Sequence, residues 1–215
     1  MQRPAYYIAI EGVIGVGKTS LARILAQRLN ARLILEKFED NPFLSDFYND
    51  RDRYAFQTQI FFLLSRYRQQ MELFQTELFH KNLVTDYMFI KDKLFAYLNL
   101  NEKELMLYDQ MLNLLIRQIP KPDLVIYLQA DTERLMKNIA KRGRDFEKNI
   151  DEEYIEALNQ MYNQFFFRYN ETPLLIINTT DIDFVHNEDD LAEILKTIQK
   201  PPAGTKLYRP VRKPS

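Results

Sequence analysis

Three of the five glycines in this 215-residue chain lie in one short segment, at Gly12, Gly15 and Gly17. Lys18 and Thr19 follow directly, so the segment fits G-x-x-x-x-G-K-[ST], a pattern in which backbone N–H groups and a lysine surround phosphates. An apolar run precedes the loop and a helical pattern follows it, as this chemistry requires. We expect Lys18 to contact the β- and γ-phosphates and Thr19 to contact Mg²⁺. The candidate nucleotide-binding residues are Gly12, Gly15, Gly17, Lys18, Thr19 and Ser20.

Two acidic residues end apolar segments that the sequence predicts to be strands. Glu36 follows the run 33–35, and Asp86 follows the run 83–85. A carboxylate at a strand end beside a phosphate loop can hold Mg²⁺, and one near an acceptor hydroxyl can take its proton. A solvated strand-end acid or a helix cap is the alternative for either residue alone. Together with Thr19, Asp86 is a candidate metal ligand.

A basic segment follows a predicted strand and helix late in the chain. It contains Arg142 and Arg144, with Glu147 three residues further on. Charge runs of this kind are usually solvated loops. Beside a phosphate loop, however, the segment is better interpreted as a mobile basic lid that closes over a transferred phosphoryl group.

A long helix is predicted to carry two polar residues on one apolar face. Gln59 and Arg66 are seven positions apart, which is two helical turns, so their side chains share a face. Burying such groups costs free energy unless they find partners, which suggests a binding site. The alternative is a structural glutamine beside an arginine whose head reaches solvent.

The elements that must position these residues are five short apolar strands alternating with helices. This order predicts an α/β fold with a doubly wound parallel sheet, covered by helices on both faces, whose ligands lie at the carboxyl ends of the strands. The predicted strands are 6–10, 33–35, 83–85, 123–128 and 174–177. The predicted helices after the first are 40–50, 53–79, 92–98, 102–118, 132–140, 152–169 and 189–199.

Residues 1–199 are predicted to form a single domain. The tail 200–215 has four prolines and five basic residues without periodicity, which predicts loose order, with a docked tail as the alternative.

Composition excludes several other classes of protein. The net charge of −1 argues against a nucleic-acid binder, and the absence of cysteine excludes disulfides and thiolate metal sites. The longest apolar run, 60–64, is too short to span a bilayer. The first residues lack the layout of a signal peptide, so we expect a cytoplasmic protein without membrane or nucleic-acid partners.

Several spaced motifs resemble those of a known family. They are residues 10–12 leading into the glycine loop, 41–44 through 47–48, 56–59 through 65–66, Asp92 with 94–96, 122–128, and 142–144 with Glu147. Over about residues 10–177 the chain resembles the deoxyribonucleoside kinases, in particular the bacterial deoxyadenosine/deoxyguanosine kinases. The resemblance implies a P-loop kinase fold, ATP and Mg²⁺ as cofactors, a deoxynucleoside as the acceptor, and a homodimer.

The resemblance also implies a role for each matching residue. Glu36 would be the general base at the sugar 5′-hydroxyl, and Tyr48 and Glu147 would hold the 3′-hydroxyl. The base would be bound by Gln59 at its edge and by Arg66 and Asp92 on its far side. Asp86 matches a magnesium-associated position. The implied catalytic residues are Glu36, Lys18, Arg142 and Arg144.

The residues implied to surround the base predict a substrate preference. A carboxylate at Asp92 only accepts hydrogen bonds, so it suits a base with an exocyclic amino group, such as adenine or cytosine. Gln59 offers one donor and one acceptor, which complements adenine. We therefore expect deoxyadenosine to be the first substrate in a salvage reaction, with deoxycytidine or deoxyguanosine behind it and thymidine the poorest.

Two departures from the family pattern keep alternatives open. Tyr87 and Met88 stand where an arginine usually follows the acidic residue, and Asn138 replaces a usual arginine before the lid. A catalytically weakened kinase-fold subunit is therefore one alternative. Another is a nucleoside monophosphate kinase of the thymidylate kinase type, which would need cationic contacts to an acceptor phosphate. A GTP-binding switch would need an Asn-Lys-x-Asp motif, which the sequence lacks.

Overall fold

A six-stranded, all-parallel sheet forms the centre of the molecule, with the strand order β2-β3-β1-β4-β5-β6. The computed structural model describes residues 6–75 and 82–209, and for residues 72–75 it describes the backbone alone. The strands are β1 (Tyr6–Glu11), β2 (Arg32–Ile34), β3 (Asn82–Thr85), β4 (Leu124–Gln129), β5 (Leu174–Asn178) and β6 (Thr205–Tyr208).

Helices connect the strands and cover the sheet. They are α1 (Lys18–Arg28), α2 (Leu44–Asn49), α3 (Arg51–Gln75), α4 (Lys91–Asn99), α5 (Glu102–Leu115), α6 (Thr132–Arg142), α7 (Glu152–Arg168) and α8 (Glu188–Ile198). Five of the six residues in both β1 and β4 are buried. Because successive side chains of a strand point to opposite faces, burial of nearly all of them requires packed helices on both faces. The predicted α/β fold with a parallel sheet is confirmed.

The sheet has six strands, and the predicted number of five was wrong. The additional strand β6 lies in the tail that was predicted to be loosely ordered, and it pairs in parallel with β5 from Leu174↔Thr205 to Ile177↔Tyr208. Its first three residues are exposed, so it carries no apolar pattern, and prolines precede it. An exposed edge strand of this kind gives little sequence signal.

Several helix boundaries also differ from the predicted ones. The segment 40–50 divides into a 3₁₀ turn (Phe38–Asp40) and α2, because the side chain of Asn41 accepts from the N–H of Phe43 at 3.0 Å and forms a turn between them. The predicted helix 53–79 corresponds to α3, and its last four residues lie outside the described part of the chain. In the described residues, no helix is both long and apolar enough to cross a membrane.

The phosphate loop packs directly against α6, the helix that leads to the predicted lid. Gly15 has a φ of 87°, which side chains rarely adopt, and a Cβ at this position would lie 2.7 Å from the carbonyl oxygen of Leu135 in α6. Neither the backbone conformation nor the space permits a larger residue. Glycine is therefore required here by the fold itself, apart from any contact with a ligand.

Replacing Gly15 by alanine should destabilise the protein by about 2 kcal/mol, because it adds both backbone strain and a clash with a helix carbonyl. Urea unfolding of the two proteins would measure this difference. Gly204→Ala is the matched control, since a Cβ at Gly204 meets no atom within 4 Å. Equal stability of the two variants would contradict this account of Gly15.

Candidate active site

The carboxyl ends of β2, β3 and β1 lie side by side, and the candidate residues that follow them meet around one cleft. The cleft encloses about 780 Å³, including solvent at its mouth. Its lining combines the phosphate loop, acidic residues, the lid and an apolar wall. The lining residues are Ile14, Lys18, Thr19, Glu36, Phe38, Leu44, Phe47, Tyr48, Thr58, Gln59, Phe62, Arg66, Asp86, Lys91, Phe95, Arg142, Arg144, Phe146 and Glu147.

The phosphate loop directs the start of α1 towards this cleft. Gly17 caps α1 in a left-handed conformation, and it has no side chain to bond the first N–H groups of the helix. Lys18 folds over the loop, where its Nζ donates to the carbonyl oxygens of Gly12 at 2.7 Å and Val13 at 3.0 Å. Burial and the positive charge of Lys91 lower the pKa of Lys18 to about 8. An anion at the helix start would favour the charged lysine. Ser20 lies in the first turn of α1, partly buried.

Asp86 joins the phosphate loop to the segment after β2. Its Oδ2 accepts from the hydroxyl of Thr19 at 2.5 Å, and its Oδ1 accepts from the backbone N–H of Glu36 at 2.7 Å. Mg²⁺ at phosphate-transfer sites is held by one or two protein oxygens together with phosphates and water. The Thr19 hydroxyl and the Asp86 carboxylate fit this donor set, and both lie beside the phosphate loop.

Glu36 is surrounded by positive charge. Its Oε1 accepts from Nε of Arg66 at 2.8 Å and also from Nη2 of the same guanidinium, and its Oε2 accepts from Nζ of Lys91 at 2.6 Å. Burial alone would raise the pKa of Glu36, but the charges and hydrogen bonds of Arg66 and Lys91 outweigh burial and hold the pKa well below its usual range. Glu36 therefore enters any reaction as a carboxylate.

Arg66 links Glu36 to a second, fully buried carboxylate. Its Nη1 donates to Oδ1 of Asp92, while Oδ2 of Asp92 accepts from the hydroxyl of Tyr108 at 2.7 Å. Burial raises the pKa of Asp92 to about 6, although Arg66 and Tyr108 both favour the carboxylate. Asp92 was expected beside the base, but it is 0% exposed and lies outside the cleft lining. Its hydrogen bond to Arg66 connects it to the cleft.

One wall of the cleft is apolar and carries the remaining candidate groups. Gln59 and Arg66 lie on the same side of α3, both almost fully buried, and the guanidinium of Arg66 lies 4.6 Å from the ring of Phe62. The ring of Tyr48 stacks on that of Phe146 at 6.3 Å between centroids. This wall can bury a planar ring, with Gln59 and Arg66 as polar groups that orient it.

In this structure, the residues of the predicted lid bind one another. Arg142 donates to both oxygens of the buried Glu147, at distances of 2.5–3.1 Å, and Nη1 of Arg144 lies 3.4 Å from the same carboxylate. The guanidinium of Arg144 also lies 4.1 Å from the ring of Phe38. Asn138, one of the two departures, donates to the carbonyl oxygen of Gly15 at 2.8 Å and ties α6 to the phosphate loop.

Sequence reasoning missed two residues of this site. Lys91 holds Glu36, and Tyr108 holds Asp92. A lysine at the start of a helix resembles an ordinary solvated charge, and an isolated tyrosine in an amphipathic helix resembles a core residue. Only the packing of α4 and α5 against α3 brings them to the two carboxylates.

A parallel sheet, a glycine loop at a helix start, an ionised carboxylate in the same cleft and a basic segment that lines it together define a P-loop phosphotransferase. A model of the deoxynucleoside kinase family matches residues 8–201. The deoxyguanosine kinase of Bacillus subtilis is 37% identical over 202 residues, covering 91% of this chain and 97% of its own. The deoxyadenosine kinase of Lactobacillus acidophilus is 32% identical over 207 residues, covering 90% and 94%.

Comparison with solved structures supports the same family. The structure of deoxyadenosine kinase from M. mycoides with bound dATP superposes with a TM-score of 0.78 at 26% identity, covering 91% of this chain and all of that one. The chain belongs to the deoxynucleoside kinase family, and its activity is that of a deoxynucleoside kinase. The predicted family and enzyme class are confirmed, and the match favours this assignment over a thymidylate kinase type of enzyme.

Proposed function

We propose that the protein transfers the γ-phosphate of ATP to the 5′-hydroxyl of a purine deoxynucleoside, deoxyadenosine or deoxyguanosine. The observation that carries the proposal is the ionised carboxylate of Glu36, held by two cations in a cleft that also contains the phosphate loop. A carboxylate in this position can take the proton of the 5′-hydroxyl as phosphate is transferred. Relatives named for each of the two purine deoxynucleosides support the substrate class.

The phosphate end of the cleft would hold MgATP. Lys18 and the N–H groups at the start of α1 would bind the phosphates, while Thr19 and Asp86 would hold Mg²⁺, which neutralises charge on the transferring group. Gly12, Gly15, Gly17 and Ser20 complete this cradle. Lys18 must then exchange its present carbonyl partners for phosphate oxygens, which a charged lysine would favour strongly.

The sugar end of the cleft suits a neutral acceptor. Tyr48 and Glu147 would bind the 3′-hydroxyl, as both line the same cleft as Glu36. A hydroxyl that donates to Glu147 competes with the ion pairs to Arg142 and Arg144, and so frees these arginines to reach the transferred phosphoryl group. In this proposal, binding of the correct sugar and closure of the basic lid are one event.

The base would lie against the apolar wall and contact Gln59 and Arg66. Arg66 has five N–H groups, of which two donate to Glu36 and one to Asp92, so two remain for a base. Purines present an N7 acceptor to such donors, and guanine adds its O6. Since Asp92 is already bonded on both oxygens, the geometry supports a purine site without ranking adenine above guanine. Thymine carries a 5-methyl group beside its O4 acceptor, and this methyl group would hold O4 away from the donors of Arg66 and leave them unpaired.

A phosphate-transfer assay with ATP, Mg²⁺ and the four deoxynucleosides tests this substrate class. The two purine deoxynucleosides should be preferred over thymidine by roughly 100-fold or more in kcat/KM, because the mismatched base leaves buried donors unsatisfied. Replacing both Arg66 by Met and Asp92 by Ala should admit thymidine. Asp92→Ala alone should perform worse than the double variant, since it leaves Arg66 without one of its two buried partners. Efficient use of thymidine by the unchanged protein would contradict the proposal.

Glu36→Gln should lower kcat by roughly 10²–10⁴-fold and leave nucleoside affinity largely unchanged, because the amide keeps the shape but cannot take the proton. Steady-state kinetics together with calorimetric titration of the nucleoside would separate the two quantities. Glu39→Gln, an exposed glutamate of the same segment, is the control. Lost affinity with unchanged turnover of bound substrate would make Glu36 a binding residue instead.

We also propose that the chain forms a homodimer through α3 and α5. These helices pack together, and they leave Leu64 on α3 and Met106, Leu107 and Leu114 on α5 exposed. Leu107 and Leu114 are two turns apart and share one face, so α5 presents an apolar stripe to the outside.

Sedimentation equilibrium should give twice the chain mass of 25.8 kDa, and Leu114→Glu should shift the protein to the monomer by burying a charge in the interface. Phe167→Glu on α7 is the control, since Phe167 is 88% exposed and Leu114 is 73% exposed. A monomeric unchanged protein, or equal effects of the two substitutions, would exclude this interface.

A further inference from the structure

Lys91 is the first residue of α4, yet it is only 6% exposed. A lysine at such a position loses most of its hydration, which costs free energy unless the ammonium gains a partner. Its partner is Oε2 of Glu36, at 2.6 Å, inside the cleft. The side chain has therefore been turned away from water and towards the residue proposed to take the proton.

The two carboxylate oxygens of Glu36 are not equivalent. Oε1 accepts two N–H groups of Arg66, which fill its two acceptor positions. Oε2 accepts from Lys91 and keeps a lone pair that an incoming hydroxyl can use. The oxygen best able to take a proton is thus the one that Lys91 holds.

Lys91 also lies near the phosphate loop. Its positive charge contributes to the lowered pKa of Lys18, second only to burial, and it acts on the buried Glu11 before the loop. Tyr87, one of the two departures from the family pattern implied by the resemblance, is an uncharged and fully buried side chain. Lys91, four residues later, lines the cleft and supplies positive charge there.

We propose that Lys91 is a positioning residue for phosphate transfer, which holds Oε2 of Glu36 towards the acceptor hydroxyl. This inference rests on the proposed function, in which Glu36 takes the proton of that hydroxyl. Arg66 fixes one side of the carboxylate and Lys91 fixes the other, so the orientation of the free lone pair needs both. Loss of Lys91 should therefore affect turnover more than substrate binding.

The test compares Lys91→Met with Lys93→Met, a partly buried lysine of the same helix whose Nζ lies 5.2 Å from the ring of Tyr97. With MgATP and the best deoxynucleoside, Lys91→Met should lower kcat by about 30- to 300-fold and change the nucleoside KM by less than about threefold. Lys93→Met should stay within about twofold of the unchanged protein. Lys91→Arg keeps the charge and should recover at least about tenfold of the lost turnover.

A second measurement separates positioning from a purely structural role. If Lys91 acts through Glu36, adding Lys91→Met to Glu36→Gln should slow the enzyme by no more than about threefold beyond Glu36→Gln alone. If Lys91→Met lowered kcat in the Glu36→Gln protein as much as it does in the unchanged protein, the proposal would be overturned. The proposal would also be overturned if Lys91→Met alone lowered nucleoside affinity as much as kcat, lowered the melting temperature as well, and Lys91→Arg restored none of these.

The outcomes also distinguish this inference from the proposed function. If Glu36→Gln is slow but Lys91→Met keeps its turnover within about threefold of the unchanged protein, the inference about Lys91 is overturned and the proposed function stands. Unchanged turnover by Glu36→Gln overturns the assignment of the base, and the inference with it. If Lys91→Met has a low kcat with unchanged nucleoside affinity, and Lys91→Arg recovers turnover, both the inference and the proposed function are supported.

Discussion

The carboxylate of Glu36 lies largely out of water, with Arg66 on one oxygen and Lys91 on the other. Removing any one of these charges would leave another buried charge with one partner fewer, which is costly at low local dielectric. The group that sits opposite the phosphate loop is therefore fixed in charge and in orientation before any ligand arrives. Preorganised charge of this kind needs little rearrangement during a reaction.

The fold produces this arrangement by bringing three separate segments to one place. Glu36 follows β2, Arg66 lies in the middle of α3, and Lys91 begins α4 after β3. The strand order places β3 between β2 and β1, so Asp86 can bond both the backbone after β2 and Thr19 in α1. Through these two hydrogen bonds, Asp86 ties the segment that carries Glu36 to the phosphate loop.

The sequence was sufficient to predict the parallel sheet, the phosphate loop and the proximity of Glu36 and Asp86. These features follow from local patterns and from the rule that carboxyl ends of parallel strands share an edge. The partners of buried charges could not be predicted in the same way. The contacts of Lys91 and Tyr108, and the complete burial of Asp92 outside the cleft, depend on how the helices pack. The periodicity of a sequence does not encode such contacts. The edge strand β6 was missed because its exposed, polar residues lack the pattern of a buried strand.

The contact between Gly15 and α6 has a mechanical consequence. The carbonyl of Leu135 leaves no room above Gly15, and Asn138 bonds the carbonyl of the same glycine, so α6 is fastened to the phosphate loop. In the proposed function, closure of the basic segment would therefore hinge at the end of α6, where Gly143 adopts a left-handed conformation with a φ of 66°. Arg142 is the last residue of α6, so it would change only the direction of its side chain, whereas Arg144 would move with the backbone of a short flap.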